Sequence, residues 1–469
     1  MKTDMLQVLK NRFFSKEKCI QDKTIWRVAL PCVLENLLTF AAGLVIAAMI
    51  GRLSGDEISA QSIGNRITGV LQSLFKGIGV GATVIIGVSY GRGNLGRCRK
   101  IAEEMMLLVL PISLVLVGVF LYEPRPFLRL FADDISLIEL AVPYTRVAIW
   151  LVPSVAVSRI ITAAFNGQGN THTPMVIAVT MNIINAILGY ITIFVCRWGL
   201  MGAAWSLTCS YFIGMVLGLV ALYHKRGLYG NTQREGLLFR GSWRDIHSSF
   251  STGLPASCEN MMWSVAAIIM SRALLTYGTN AFAGYQLASQ VEEFLAAPCF
   301  GFQIAVTTLV AQSIGRNDPA EAYQYHRRIS FWGILVSLPV TVILLTCAPL
   351  CMRMLTDKPP IQDVGALYLM LASIAYIPQT LNMVDFGAIR VASSKSFPLI
   401  GTILGMWGVR VPVAALAAWV WNTDIIVIFA GIVFDQVFRW GLALLYRARK
   451  KIFWGNPSAR MEVPPKRII

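Results

Sequence analysis

Apolar residues run through this chain in long stretches, among them Met105–Leu121, Leu200–Tyr223 and Ile329–Leu350. Each approaches the roughly 20 residues that cross a hydrocarbon core about 30 Å thick. The pattern predicts twelve spans, at approximately 26–50, 65–89, 101–121, 136–160, 173–196, 199–223, 250–274, 288–312, 329–350, 364–388, 397–420 and 424–446. Composition agrees: of 469 residues, 55% are hydrophobic and 14% charged, against about a quarter charged in soluble proteins. The expected fold class is an all-α integral membrane protein of 12 transmembrane helices.

A net charge of +16 would ordinarily raise the question of nucleic acid. Its placement answers differently. Of 41 Lys and Arg, 28 fall in segments 1–27, 91–100, 224–245, 315–328, 389–396 and 447–469, all on one side of the predicted spans. The positive-inside rule makes that side cytoplasmic, with both termini inside. No cleavable signal peptide is expected, because the first 24 residues are polar and basic and the first apolar run is too long for an h-region. The nine cysteines fall mostly within spans and lack zinc-type or disulfide-framework spacing, so they read as packing residues.

A shift of 224 residues superposes the two halves without a gap. Leu30-Pro31 falls on Leu254-Pro255, Glu35-Asn36 on Glu259-Asn260, Gly91-Arg92 on Gly315-Arg316, and Asp133 on Asp357. Six spans per half give both halves the same orientation. The expectation is two parallel six-helix bundles related by a pseudo-two-fold axis along the membrane normal. The domains expected are a basic tail (1–24), one bundle (25–226), a cytoplasmic linker (227–247), a second bundle (248–450) and a basic tail (451–469). Repeats of this kind place substrate and ion sites near the midplane, where the bundles meet.

Intramembrane charges are costly and need a reason. Glu259 lies about 20 Å from polar flanks on either side at 1.5 Å per residue. Glu35 is shallower, and reads either as a cleft residue or as an acid near the positive end of a helix dipole. Proline four residues before each can open backbone carbonyls toward a cavity. Met262 and Trp263 beside Glu259 suit a lipophilic cation, or simply pack. Gln379, Asn382 and Asp385 form a polar stripe on span ten, with a salt bridge from Asp385 to Arg390 as the plainer account. Asp385 has no counterpart in the first half, where Ile161 stands. Of Glu292 and Glu293, Glu292 is taken as the cleft candidate. Asn182 and Asn185 on span five either contact substrate or bond between helices. The glycine-rich Lys76–Gly87 reads as close helix packing. No Walker motif, catalytic triad or metal-ligand cluster is present, which argues against an ATPase or another enzyme, and no cofactor is expected.

With "LPCVLENLL" leading into "MIGRLSGDEISA", then "GVSYGRGN", "NGQGNTHTPM", "GLMGAAW" and "VRVP", residues 25–450 resemble the multidrug and toxic compound extrusion (MATE) family. The resemblance implies a plasma-membrane antiporter, acting as a monomer, that exports organic cations or other amphipathic small molecules in exchange for H⁺ or Na⁺ by alternating access. Glu259 and Asp385 match the coupling acids of spans seven and ten, where Na⁺ could bind transiently. In a dry cleft, desolvation and mutual repulsion would couple their protonation. Some members instead use aspartates in spans one and five. Here "GLVIA" and Gly189 stand at those places, so the site is expected in the second half. A lipid-linked saccharide flippase of the same superfamily is the alternative; it calls for several basic residues in the cavity, of which Lys76, Arg159 and Arg410 are the candidates.

Overall fold

A computed structural model describes residues 16–52, 54–129, 134–240, 243–421 and 423–450. The two terminal tails beyond these limits, and Asp133 of the repeat, lie outside the described residues. Among the described residues the chain is helical with no strand. Spans one to three are Lys16–Ile50, Gly55–Gly91 and Leu95–Tyr122, and span four is Ile135–Ala148 with Leu151–Gly167, bent by 45°. Spans five and six are His172–Tyr190, prolonged by the π-helical Ile191–Val195, and Gly199–Tyr223.

The second half repeats the order. Span seven is Trp243–Leu275, span eight Thr279–Leu295 with Ala297–Gly315, span nine Pro319–Leu355 and span ten Pro359–Ala392. Span eleven runs from Phe397 to Trp421 and includes π-helical Ile403–Arg410 and Ala417–Trp421; span twelve is Ile425–Lys450. Ten helices are long and apolar enough to cross a membrane, and the bent pair adds an eleventh. Span seven, 33 residues long, has the length, about 50 Å. It is too polar to stand out by composition, because Ser249, Ser251, Thr252, Ser257, Glu259 and Asn260 all lie along it.

Each half buries its own apolar side chains, from Ile50 to Tyr229 in the first and from Met270 to Ile432 in the second. Two helices cross over. The first turns of span one carry Ile25, Val28 and Ala29 into Phe302, Ala305, Val306 and Leu309 of span eight. Asp22 there accepts from Trp332 Nε1 at 2.8 Å and pairs with Arg328. Reciprocally, span seven lies along span two. Asp245 takes a two-pronged bond from Arg97 at 2.7 and 3.0 Å, and Ser257 Oγ donates to the carbonyl of Leu74 at 2.6 Å.

Glycine makes the second crossing possible. A Cβ on Gly77 would stand 2.1 Å from the Ser257 nitrogen, one on Gly81 2.3 Å from the Ser249 oxygen, and one on Gly253 2.8 Å from Ile78 Cα. Nearer the basic loops, Gly91 faces the Gln312 carbonyl and Gly315 the Val88 carbonyl at 2.1 and 2.2 Å on the same measure. The glycine-rich stretch therefore does serve close helix packing. Its contacts close the interface between the halves from the level of Gly77 down to the face that carries the basic loops.

The repeated prolines do not break their helices; Pro31 and Pro255 both sit inside continuous ones. In span one the Thr171 hydroxyl donates to the Val28 carbonyl at 2.8 Å. In both halves the asparagine five residues after the proline donates its amide to the carbonyl four residues before it, Asn36 to Cys32 and Asn260 to Ala256, each at 2.7 Å. The repeated Asn is thus a backbone brace in both copies.

Candidate functional site

Just beyond the glycine seal, on the side away from the basic loops, charged residues of both halves converge. Lys76 adjoins Gly77, and Glu259 is two residues from Ser257, so the Gly77–Ser257 contact sets them at one level. Lys76 is exposed, yet it points across the interface: its Nζ lies 5.6 Å from the Phe300 ring centroid in span eight. Arg159 of span four, Glu259 and Glu293 lie within its electrostatic reach. Glu35 lies in turn within reach of Arg159. The repeat shift puts Lys76 on Phe300, Arg159 on Met383 and Glu293 on Gly69. The first half therefore lends the cleft its two cations and the second half two of its three carboxylates.

Glu259 and Asp385 do not form the mutually repelling pair expected from the sequence. Glu259 accepts from Arg390 at 2.6 Å. Asp385, 2% exposed, accepts from Arg447 of span twelve at 2.6 Å and meets His326 of span nine at 2.7 Å. Its partner is not Arg390, one helical turn along: five residues put the two side chains on different faces of span ten. Each acid has its own cation, as a buried carboxylate requires. Asp385 is enclosed within the second bundle rather than facing the cleft. Among the described residues no group of three or more His, Cys, Asp or Glu is placed to hold a metal ion.

Trp263 is also differently engaged. The guanidinium carbons of Arg410 and Arg439 lie 5.5 and 5.0 Å from its ring centroid, so its π-face already holds protein cations. Arg439 forms a two-pronged pair with the fully buried Asp435 at 2.7 and 2.9 Å. Gly405 makes room for it, since a Cβ there would meet Asp435 Oδ1 and Arg439 Cγ at 2.4 Å. Arg410 ends the π-helical stretch of span eleven and lies within reach of Tyr285, Tyr368, Asp435 and Glu292. Glu292 accepts a short hydrogen bond from Tyr368 inside the second bundle; its neighbour Glu293 is the one near Lys76.

The remaining candidates scatter. Asn182 donates to Thr39 Oγ1 at 3.1 Å, an interhelical bond between spans five and one. Asn185 is buried, while Met262 and Gln379 are half-buried. Asn382 Oδ1 is buried without a hydrogen-bond partner among the described residues.

The MatE family model matches the chain twice, over residues 31–191 and 255–416, once in each half and starting at the two repeated prolines. The chain belongs to the MATE family of transporters. Curated relatives of this MATE chain include the probable multidrug resistance protein NorM of Thermotoga maritima, 25% identical over 433 residues and covering 90% of this chain and 91% of the relative. The multidrug resistance protein PmpM of Pseudomonas aeruginosa is 23% identical over 406 residues, 83% of each chain. A solved outward-facing multidrug resistance MATE transporter superposes with a TM-score of 0.85 at 18% identity, covering 92% of this chain and 96% of the other. The twelve-span, two-bundle MATE fold is thus established for this chain, which is a transporter and not an enzyme.

His326 and Arg447 are not legible in the sequence, and Arg390 is matched there to Asp385 rather than to Glu259. Arg447 counts there only as a topology-setting charge at the edge of a basic segment. The repeat carries a signal that could have raised them, since His326 falls on Ala102 and Arg390 on Asn166. A charge that appears in one copy of a duplicated scaffold is unexplained by that scaffold.

Proposed function

We propose that this MATE chain is a secondary active exporter of amphipathic small molecules in the plasma membrane, with both termini cytoplasmic, working as a monomer by alternating access of its two bundles. The observation that carries the reading is that Lys76 and Glu259 flank the Gly77–Ser257 contact, with Arg159 and Glu293 within reach of Lys76 and Glu35 within reach of Arg159. The multidrug resistance names of its relatives point to the same class of cargo.

With the basic face cytoplasmic, the described conformation is closed to the cytoplasm and releases cargo outward. Entry of a cation from outside loosens Glu259 from Arg390, or Asp385 from Arg447 and His326, and so biases one state over the other, as coupling requires. We favour H⁺ over Na⁺. A proton neutralises a carboxylate without needing a coordination shell, whereas Na⁺ would have to displace a guanidinium from each acid. A flippase of lipid-linked saccharides would want a cavity dominated by cations to hold a pyrophosphate; here three carboxylates face Lys76 and Arg159, which favours the exporter.

The test is efflux of an amphipathic fluorescent dye from proteoliposomes, with H⁺ and Na⁺ gradients imposed separately. Flux driven by the proton gradient alone is the expected result. Flux driven only by Na⁺ would overturn the choice of ion, and none under either gradient would overturn the antiport reading.

A further inference from the structure

Among the described residues Lys76 and Arg159 join the two halves by no ion pair; Lys76 meets the second half over the Phe300 ring. Among the described residues neither makes a salt bridge within 4 Å, and Arg159 makes no hydrogen bond. Span two needs no cation at position 76, since its close approach to span seven is made by Gly77 and Gly81. Span four likewise packs on Gly79 through the Arg159 backbone and Cβ, 3.2 and 3.4 Å from where a glycine Cβ would stand, and leaves the guanidinium free. Two cations at mid-membrane depth, each costing several kcal/mol to insert, are therefore held near carboxylates with which they form no ion pair.

Their arrangement is directional. Across the pseudo-two-fold axis their equivalents are Phe300 and Met383, both apolar, while Glu293 faces back from a position that is Gly69 in the first half. Phe300 lies under the Lys76 ammonium and adds a flat apolar surface beside the charges. Both cations thus come from the first half and Glu293 from the second, with an aromatic ring at the seam.

We propose that Lys76 and Arg159 form a subsite for an anionic group on the cargo, so that this transporter selects amphipathic zwitterions over simple organic cations. The carboxylate, sulfonate or phosphate of the molecule sits between Lys76 and Arg159, its apolar body against Phe300, and its ammonium toward Glu293. A guanidinium recognises such an oxyanion with paired hydrogen bonds and an ammonium recognises it as a point charge. A pure cation would leave Lys76 and Arg159 without an anionic partner and would meet their like charge, which lowers its affinity relative to a zwitterion. This rests on the exporter reading, whose substrate class it narrows.

The test uses a matched pair, a cationic xanthene dye carrying a free carboxylate and the methyl ester of the same dye. Binding of each to the purified full-length protein in detergent is followed by fluorescence anisotropy, with no ion gradient. The native protein is expected to bind the carboxylate dye about tenfold more tightly than the ester. Lys76→Gln and Arg159→Gln each lower that ratio about tenfold, and Lys76→Arg keeps it. Equal or tighter binding of the ester by the native protein, or binding of neither dye, overturns the proposal. So does a ratio unchanged in both glutamine variants. The retained ratio in Lys76→Arg, with an unchanged melting temperature, guards against misfolding as the cause. Because binding needs no gradient, selective binding with no proteoliposome flux would defeat the exporter reading and leave the subsite standing.

Discussion

The two copies of the Pro-x-x-x-Glu-Asn segment began as one element and now differ in what their side chains meet. Pro31 and Pro255 occupy the same place in a continuous helix, and Asn36 and Asn260 make the same 2.7 Å bond to the carbonyl four residues back. Each helix crosses to the opposite bundle. The glutamates have parted: Glu259 is locked to Arg390, whereas Glu35 meets no cation within ion-pair distance among the described residues and feels Arg159 from farther away. Duplication preserved what the backbone needs and released what the charge does. Chemistry diverged where the scaffold placed no demand.

The largest effect on transport is expected where span seven crosses span two. Gly77→Val would drive side-chain atoms into the Ser257 backbone. Overpacking of this kind costs typically 1–3 kcal/mol, enough to shift a two-state equilibrium by about tenfold to a hundredfold. Loss of efflux, together with increased labelling from the basic side of a cysteine placed at Ser249, is expected. Unchanged labelling would mean that the glycines do not form the seal.

Next come the glutamates themselves. Glu259→Gln leaves the 5%-exposed Arg390 without its partner, a change worth about 3–5 kcal/mol for a buried pair. Glu35→Gln removes no ion pair and is expected to cost under about 1 kcal/mol. Thermal unfolding in detergent should separate the two variants clearly; equal shifts would erase the distinction between the copies.

Asp385→Asn strips His326 and Arg447 of their shared carboxylate and should rival Glu259→Gln in cost. Because the two acids use different cations, the double variant is expected to be additive within about 0.5 kcal/mol. A clear departure in a double-mutant cycle would show that they act as one unit after all. The smallest effect should be the most symmetric. Asn36→Ala and Asn260→Ala each lose one side-chain hydrogen bond, about 1 kcal/mol, and their melting temperatures should fall by similar amounts.

The fold was legible because the bilayer demands it. Every apolar run of sufficient length had to be a helix, and a constant 224-residue shift had to mean two like bundles. The joint at Ala296 and the π-helical stretches of spans five and eleven were not legible. They are settled by packing between spans: Gly405, for instance, lies where span eleven must clear Asp435 and Arg439. The site was legible only in part, for a related reason. Glu259 and Asp385 stand out as charges in apolar sequence, but His326, Arg390 and Arg447 sit near loop edges and look like ordinary flanking residues until folding buries them. Trp263 looked like an open aromatic face, and only the fold brings Arg410 and Arg439 onto it.

The glycine seal has an electrical consequence. Where Gly77, Gly81 and Gly253 press backbone against backbone, a methyl group does not fit, and neither does water. A transmembrane voltage falls across the driest part of its path, so it falls across this seal. Lys76 and Glu293, exposed beyond it, sit close to the potential of the compartment onto which the cleft opens. Under the alternating access proposed above, cargo in the cleft would cross the field when the seal re-forms on its other side, without itself travelling through the dry layer. Each elementary charge carried is worth about 2.3 kcal/mol per 100 mV at that moment. The voltage dependence of transport would thus count the net charge of the loaded cleft, Lys76 and Arg159 included.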